Sequence, residues 1–203
     1  MNRLAFLGCL LLTSCFINYL GKGYESYQKG DLESAERFFQ TAVKKKPRDP
    51  IAHNNLGVVL MELDRGEEAS QHFKMATVLA KSPYAAPHIN LAKLYFEKGS
   101  LDLARTSADK ALAIDGGSPV VQLVTANIYC AKNINISEAR GLVKSALTSA
   151  SLSDPDKPAA WSTLAETEYK LKNIDAALAA IDTAIALDTE NSFYRQQRSL
   201  YKP

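Results

Sequence analysis

The chain has 203 residues, of which 46% are hydrophobic and 23% are charged. This supplies enough apolar material for a sizeable continuous core. The formal net charge is only +2, and a chain so close to neutral lacks the basic surface expected of a nucleic-acid-binding protein, so we predict no nucleic-acid partner.

Residues 1–14 have the layout of a bacterial export signal. A short basic segment ends at Arg3, and residues 4–12 (LAFLGCLLL) form an uninterrupted apolar run, which is typical of a signal peptide. Leu12-Thr13-Ser14-Cys15 follows. This tetrapeptide resembles the lipobox of bacterial lipoproteins, in which the chain is cut before the cysteine and the thiol is acylated. The resemblance implies a lipoprotein signal peptide over residues 1–14 and a lipid anchor on Cys15.

Two other interpretations of this segment stay open. Residues 4–20 could form one uncleaved membrane helix, but at about 1.5 Å per residue they reach only ~25 Å, short of the ~30 Å hydrocarbon core. Alternatively, an ordinary cleaved signal would release the protein into the periplasm. Phe16 rather than aspartate follows Cys15, and in the lipoprotein family this resembles cargo sorted to the outer membrane. We therefore predict a lipid-anchored outer-membrane protein that faces the periplasm.

From residue 16 onward, a helix-hairpin pattern recurs at a spacing of 34 to 38 residues. Each unit consists of two apolar-periodic segments separated by a short turn. An alanine early in the second segment is followed by another alanine seven residues later, as in Ala35 and Ala42, Ala69 and Ala76, Ala104 and Ala111, Ala139 and Ala146, and Ala177 and Ala184. The first segment carries a small residue at the matching place, namely Gly23, Gly57, Ala92, Ala126 and Ala165.

This pattern resembles the tetratricopeptide repeat family. The large residue that opens the family's motif is Trp161 in the last unit, and the leucine that follows it is Leu164. A bulky residue stands between the two alanines in four units, as Phe39, Phe73, Val143 and Ile181. The third unit departs from the pattern with Ala108. The resemblance implies an all-α fold, a right-handed superhelix (α-solenoid) of five helix hairpins with a concave groove, and it implies binding rather than chemistry.

The units are predicted at 16–49, 50–84, 85–118, 119–157 and 158–191. Residues 192–203 follow as a C-terminal capping helix, rich in arginine and glutamine, of the polar kind that terminal repeats need. The connection over residues 149–158 is longer than the others; it could be a hinge or a tolerated surface insertion.

Family geometry assigns the groove wall to one face of each unit's first helix. The predicted peptide-binding residues on this face are Tyr24, Tyr27, Asn54, Asn55, Met61, Ile89, Asn90, Lys93, Phe96, Asn127, Glu166 and Tyr169. Such a wall is aromatic and mixed, and it suits an extended or helical polypeptide with apolar anchors. Asn55 and Asn90 occupy equivalent places in successive units and could bond a bound peptide's backbone. Simple solvation on the helix surface is the alternative.

The sequence offers no motif that predicts catalysis. His53 and His88 share one repeat position, where packing is the family's use for the residue. HExxH, CxxC and phosphate-binding glycine loops are absent from the sequence, so we predict no metal, no cofactor and no enzyme activity. Cys130 would be the only thiol left after cleavage and acylation, and we expect it to be a small buried or groove-lining side chain.

A functional resemblance extends the family resemblance. Size, lipobox and repeat layout are similar to those of the tetratricopeptide lipoproteins that serve type IV and Flp (Tad-type) pilus assembly, which bind the secretin or another machine component. This implies a non-enzymatic protein that assists assembly or localisation of an envelope machine, with a protein or peptide partner in its groove, such as a secretin or pilus-assembly component. Two alternatives remain: an envelope adaptor that recruits peptidoglycan hydrolases or proteases, and a membrane-anchored cytoplasmic scaffold if residues 4–20 stay uncut.

Overall fold

The structure is a computed structural model that describes residues 19–201. The predicted signal peptide and Cys15 lie outside the described residues. The described helices are α1 (19–28), α2 (Leu32–Lys45), α3 (Pro50–Glu62), α4 (Gly66–Leu79), α5 (Ala85–Glu97), α6 (Leu101–Ile114), α7 (Pro119–Lys132), α8 (Ile136–Thr148), α9 (Lys157–Lys170), α10 (Ile174–Leu187) and α11 (Ser192–Leu200). No strand occurs within residues 19–201, and the predicted all-α fold class is confirmed. Between residues 19 and 201, no helix combines the length and the apolar character that a membrane span requires.

The chain divides into two compact units. Within the described residues, the amino-terminal unit ends at Leu94 and the carboxy-terminal unit begins at Tyr95. In the first, α3 packs on α4 and also on α2. In the second, α7 packs on α8 and α9 on α10, while α11 packs on α10 at the end of the array. Each unit is therefore built from helix hairpins that cover one another's apolar faces.

The predicted alanine pairs form the centre of both cores. All ten of these alanines have 0% of their surface exposed. In the amino-terminal unit each hairpin sets a glycine against a phenylalanine: a Cβ atom added to Gly57 would lie 2.6 Å from Phe73 Cε1, and one added to Gly23 would overlap the Phe39 ring in the same way. Because Phe73 is itself fully buried, the missing Cβ is what allows the two helices to approach.

Each turn between paired helices contains a residue in the left-handed region of backbone space. These residues are Gly30 (φ 75°), Asp64 (φ 58°), Gly99 (φ 70°), Asn133 (φ 53°) and Lys172 (φ 66°). In the fourth turn Asn135 is also left-handed, at φ 48°. Asparagine tolerates this conformation better than most residues, which explains how the fourth turn reverses the chain without a glycine.

A buried carboxylate joins the last two hairpins. Only 4% of Glu168 is exposed, and it lies 3.2 Å from Lys144 Nζ and 3.7 Å from Arg140 Nη1, both on α8. Asn173 Nδ2 also donates to it, at 2.8 Å. Burial would raise the pKa of Glu168, but the bond from Asn173 and the two cations together lower it. The charged form is therefore the one that the fold favours.

Candidate functional site

The amino-terminal unit contains a surface cavity of about 220 Å³, which we call the amino-terminal cavity. It is lined by residues of α1, α2 and α3, namely Tyr24, Tyr27, Phe39, Asn55, Val58 and Val59. The Tyr24 ring meets the edge of the buried Phe39 ring at 5.7 Å and 87°, which fixes one wall. Burial, assisted by the Glu62 carboxylate, raises the pKa of Tyr27, so the Tyr27 phenol is uncharged at neutral pH.

A chain of side-chain hydrogen bonds connects helices α1, α3 and α5 of this unit. Asn55 Oδ1 accepts from Tyr24 Oη at 3.2 Å and, at a longer 3.5 Å, from Asn54 Nδ2. Asn54 Oδ1 in turn accepts from Asn90 Nδ2 at 3.1 Å. We call this the amide chain. Asn55 Nδ2 is buried and has no hydrogen-bond partner among the described residues.

The carboxy-terminal unit contains a second surface cavity, of about 290 Å³, which we call the carboxy-terminal cavity. It is lined by Phe96, Asn127, Ala131, Ala159, Ser162, Thr163, Glu166, Phe193, Tyr194 and Gln197. Phe96 and Phe193 are 37% and 58% exposed. Glu166 is the one charged side chain in this lining, and it pairs with Lys170 at 3.6 Å. This cavity is therefore more polar than the first.

The two cavities share one hydrogen-bond register. In each cavity, a hydrogen bond joins two successive hairpins. One partner is the residue directly after the small residue of the earlier hairpin, Gly23 or Ala126. The other partner lies two positions before the small residue of the later hairpin, Gly57 or Ala165. These contacts are Tyr24 Oη to Asn55 Oδ1 and Thr163 Oγ1 to Asn127 Oδ1, the latter at 2.8 Å. In the first contact the Tyr24 hydroxyl donates to the Asn55 oxygen. In the second, the single hydroxyl proton of Thr163 lies within reach of both Asn127 Oδ1, at 2.8 Å, and the Ala159 carbonyl, at 2.9 Å.

Six of the predicted binding residues line these cavities: Tyr24, Tyr27 and Asn55 in the first, and Phe96, Asn127 and Glu166 in the second. Met61, Asn90, Lys93 and Tyr169 are half-buried. Asn54 and Ile89 are only 6% and 5% exposed, because they face neighbouring helices rather than open surface. Asn90 donates to Asn54, so its amide is engaged within the protein and differs from that of its repeat equivalent Asn55.

Sequence reasoning missed the contribution of α11 to the carboxy-terminal cavity. The arginines and glutamines suggested a polar cap, yet Tyr194 and Tyr201 are buried and Tyr201 stacks on Tyr169 at 4.7 Å. Gln197 accepts from Ser162 Oγ at 2.6 Å. The available signal was the spacing of the two tyrosines, seven residues apart, which is the spacing of one helix face, although Tyr201 itself follows the end of α11 at Leu200.

Neither histidine chemistry nor the thiol suggests a reaction. His53 Nε2 donates to the Pro47 carbonyl at 3.0 Å, and its Nδ1 lies 2.9 Å from His72 Nδ1, so both ring nitrogens serve packing. Cys130 is fully buried, and burial raises the pKa of its thiol to about 12, with the Glu166 carboxylate adding to the effect. Across residues 19–201, no group of three potential His, Cys, Asp or Glu ligands could hold a metal ion.

Comparison with known sequences identifies the hairpins. A tetratricopeptide repeat profile matches residues 20–86 and 133–192, and a second tetratricopeptide repeat profile matches residues 85–117. Anaphase-promoting complex subunit cut9 from Schizosaccharomyces pombe is 27% identical over 130 residues, which make up 61% of this chain and 19% of the relative. The chain thus spans less than a fifth of that relative.

Solved structures share the fold over most of the chain. Cut9 in the Cut9–Hcn1 hetero-tetramer matches 98% of this chain with 39% of its own, at a TM-score of 0.80 and 19% identity. PilF of Pseudomonas aeruginosa matches over 94% of this chain and 90% of its own, at 0.70 and 17%. PilW, described as a type IV pilus biogenesis factor, matches over 89% and 81%, at 0.71 and 17%. These profiles and hairpins together establish that the chain belongs to the tetratricopeptide repeat family, whose fold serves protein–protein interaction.

Proposed function

We propose that this chain is a non-enzymatic tetratricopeptide lipoprotein that binds a segment of a partner protein and assists assembly or localisation of an envelope machine of the type IV or Flp pilus class. In this proposal the partner lies along the first helices of the hairpins, and Cys15 carries the lipid that holds the protein at the outer membrane. A secretin or another pilus-assembly component is the candidate partner.

The character of the two cavities carries the proposal for a polypeptide ligand. They measure about 220 and 290 Å³, whereas pockets that enclose drug-sized ligands usually measure about 300–1,000 Å³. Each combines aromatic walls with a side-chain amide. Apolar side chains and main-chain carbonyls are what a polypeptide presents to such a surface, and aromatic contacts supply much of the energy of protein interfaces.

The pilus class is supported by the extent of two structural likenesses. PilF and PilW match most of this chain and most of their own chains, so neither likeness is limited to a few hairpins. The lipobox-like tetrapeptide ending at Cys15 supports the anchor. Dual or multiple acylation holds a protein on a membrane durably, where a single chain does not.

The anchor is tested by metabolic labelling with a palmitate analogue in cells that express the wild-type chain or the Cys15→Ser variant, followed by separation of inner and outer membranes. We expect label that depends on Cys15 and travels with the outer membrane. Full-length, unlabelled chain in the inner membrane would refute the lipoprotein and place the repeats on a membrane-anchored scaffold instead.

The binding surface is tested by cross-linking in cells and identification of the captured protein by mass spectrometry. The variant Tyr27→Ala/Phe96→Ala changes one aromatic residue in each unit, and we expect it to lose the partner. The matched control Val78→Ala/Leu103→Ala changes exposed apolar residues of second helices, which are 79% and 52% exposed, and should retain it. The opposite pattern would overturn the proposed surface, and capture of cell-wall hydrolases alone would overturn the pilus assignment.

A further inference from the structure

We infer that the amino-terminal unit docks on an anionic phospholipid surface through a cluster of exposed cations, Lys44, Lys45, Lys46 and Arg48, which we call the basic end. In this arrangement the phosphates of the membrane that holds the lipid anchor contact the basic end, and the opposite end of the first two hairpins points away from the membrane. The inference rests on the proposed function, because it takes an anchor on Cys15 as given, and it adds an electrostatic contact to that anchor.

The basic end lies beside the first described residues of α1. Tyr19 and Val43 pack against the buried Ala42 and Ala52, so the start of α1, the end of α2 and the start of α3 meet there. The cluster follows Val43 directly in the chain. Tyr19 is four residues from Cys15, and four residues reach at most about 14 Å. An acyl chain on Cys15 would therefore keep this end of the unit close to the headgroups.

The connection between α2 and α3 holds its cations on a fixed turn. The Asp49 carboxylate caps α3 by accepting from two of its backbone N–H groups, at 2.9 and 3.3 Å. His53 Nε2 donates to the Pro47 carbonyl at 3.0 Å. Residues 46–50 line a shallow concave surface of about 500 Å³, and residues 44–49 carry four cations and one carboxylate, a net charge of +3. A headgroup phosphate therefore meets positive charge whose position is set by the fold.

Neither internal pairing nor helix stability accounts for the cluster. Lys44, Lys45 and Arg48 are exposed, and their side chains have no partner among residues 19–201. Cations in the last turn of a helix complement its dipole, but the equivalent second helices α4, α6, α8 and α10 have no basic residue there. Among the five described second helices, only α2 has such residues, and it is the one nearest Cys15 in the chain.

Positive charge also declines along the connections between successive hairpins. The second connection contains one cation, Lys81. The later connections contain carboxylates and no cation, namely Asp115 in the third, Asp154 and Asp156 in the fourth, and Asp188 and Glu190 in the fifth. The cluster is therefore not a property of the repeat, and it coincides with the part of the fold that the anchor would hold at the membrane.

The opposite end of the first two hairpins has the opposite charge. It contains the α1–α2 and α3–α4 turns, and an ion pair of 2.6 Å between Arg65 and Glu36 joins the two hairpins there. Lys29 and Arg65, the cations of these turns, are each paired with a carboxylate. The exposed carboxylates at this end are Glu25, Asp31, Glu33, Glu62, Asp64, Glu67 and Glu68. An anionic surface therefore attracts one end of the unit and repels the other, which orients it.

The test measures how fast single lysines react when the full-length protein, purified from cell membranes in detergent, is reconstituted into vesicles. The vesicles contain phosphatidylcholine alone, or phosphatidylcholine and phosphatidylglycerol in equal parts. Brief treatment with acetic anhydride, a small neutral reagent, is followed by mass spectrometry. A surface potential of about −30 to −50 mV favours the charged, unreactive form of a nearby amine about three- to sevenfold.

We expect Lys44 and Lys45 to react at least about threefold more slowly on the anionic vesicles. Lys29 lies past the far end of α1, about 15 Å along the helix from Tyr19, beyond the screening length of about 10 Å in 0.1 M salt. Its reaction rate should therefore differ little between the two vesicles. In 1 M salt, where the screening length is about 3 Å, the protection of Lys44 and Lys45 should disappear.

Two matched variants separate the basic end from the general charge of the unit. Lys45→Gln/Arg48→Gln removes one lysine and one arginine from the basic end, and we expect the protection of Lys44 to fall by about half or more, since each cation near the surface contributes a similar attraction. Lys29→Gln/Arg37→Gln removes the same two residue types elsewhere in the unit and should leave the protection of Lys44 unchanged. Circular dichroism checks that both variants are folded.

The same samples separate this inference from the proposed function, because the mass of the amino-terminal peptide shows whether Cys15 carries acyl chains. An acylated chain whose Lys44 and Lys45 react equally on both vesicles would overturn the inference and leave the anchor intact. Protection of these lysines in a chain without acyl groups would show that the basic end binds the surface by itself, and would refute the lipoprotein.

Two further outcomes would assign the cluster to a different ligand. Equal protection by soluble glycerol phosphate, with phosphatidylcholine vesicles, would indicate an ordinary phosphate site and overturn the membrane surface. Absence of protection on vesicles, together with loss of the captured partner in cells that express Lys45→Gln/Arg48→Gln, would assign the basic end to an acidic protein surface and overturn the inference.

Discussion

Replacing Gly57 with alanine should destabilise the amino-terminal unit, although alanine is the better helix former. In a helix interior, alanine is favoured over glycine by about 1 kcal/mol. The new Cβ, however, would lie 2.6 Å from Phe73 Cε1, and because the ring is fully buried it could shift only by displacing packed neighbours. Overpacking of a core typically costs about 1–3 kcal/mol. We therefore expect Gly57→Ala to lower the free energy of unfolding by about 1 kcal/mol.

Gly141 provides the matched control. It lies inside α8, and a Cβ added there would have no atom within 4 Å. Gly141→Ala should therefore realise the helix-propensity gain of about 1 kcal/mol without a steric cost. The two substitutions are identical in chemistry, so the gap of about 2 kcal/mol between them measures the overlap at Phe73.

Urea unfolding followed by far-UV circular dichroism measures both variants, with the m values compared because a repeat array can unfold in parts. The double variant Gly57→Ala/Phe73→Val copies the Ala126 and Val143 pair, both of which are fully buried. The loss in free energy of unfolding for the double variant should be smaller, by about 1 kcal/mol or more, than the losses for Gly57→Ala and Phe73→Val added together. If Gly57→Ala stabilised the protein as Gly141→Ala does, the close approach of α3 and α4 would be wrong.

Three further predictions concern the turn of the fifth hairpin, the histidine pair and the buried carboxylate. Lys172→Gly should raise the free energy of unfolding by about 1 kcal/mol in the same assay, because Lys172 has a left-handed backbone (φ 66°) that costs a residue with a Cβ about 1–2 kcal/mol. Burial, and then the neighbouring His53, lower the pKa of His72 below 6.5 against the opposing effect of Glu68. The free energy of unfolding should therefore be highest above pH 6.5 and decrease below it, as the unfolded chain gains a proton that the folded chain resists. Urea unfolding at several pH values should show this decrease in the wild type and not in His72→Gln. Glu168→Gln should cost about 1–2 kcal/mol, less than a fully buried pair because its cations are partly exposed. The lowered pKa of Glu168 means that this contribution is present above the ordinary value of 4.5 and disappears as the pH falls through the folded value, so wild type and Glu168→Gln should converge in acid.

The helix pairs could be predicted because their signal is local and repeated. An alanine that recurs seven residues after another must lie on the same helix face, and five such pairs leave little freedom in the register. All ten alanines are fully buried. The departure at Ala108 was also visible, since a small residue there simply replaces a bulky one.

Turns without glycine were harder to predict. Asp64 and Lys172 adopt the left-handed conformation that Gly30 and Gly99 adopt elsewhere. The cost to a non-glycine residue is about 1–2 kcal/mol, which the packing of a hairpin readily offsets. Residue type therefore marks such a turn only when the chain happens to use glycine or asparagine.

The groove wall remains a prediction, and its details depended on contacts between hairpins. Helical spacing assigns residues to a face of one helix but does not determine how far the next helix covers that face. Asn54 and Ile89 are covered for this reason. The bonds from Asn90 to Asn54 and from Tyr24 to Asn55 join residues of different hairpins, and a single sequence carries no signal for such pairings.

The amide chain also has a direction, from Asn90 through Asn54 to Asn55. Hydrogen bonds in series polarise one another, so each acceptance of a proton makes the NH₂ group of the same amide a better donor. The donor strength at Asn55 is thus linked to whether α5 is seated against α3. By reciprocity, anything that engages the Asn55 amide group must stabilise the Asn90–Asn54 bond between α5 and α3 by the same free energy with which that bond strengthens its binding.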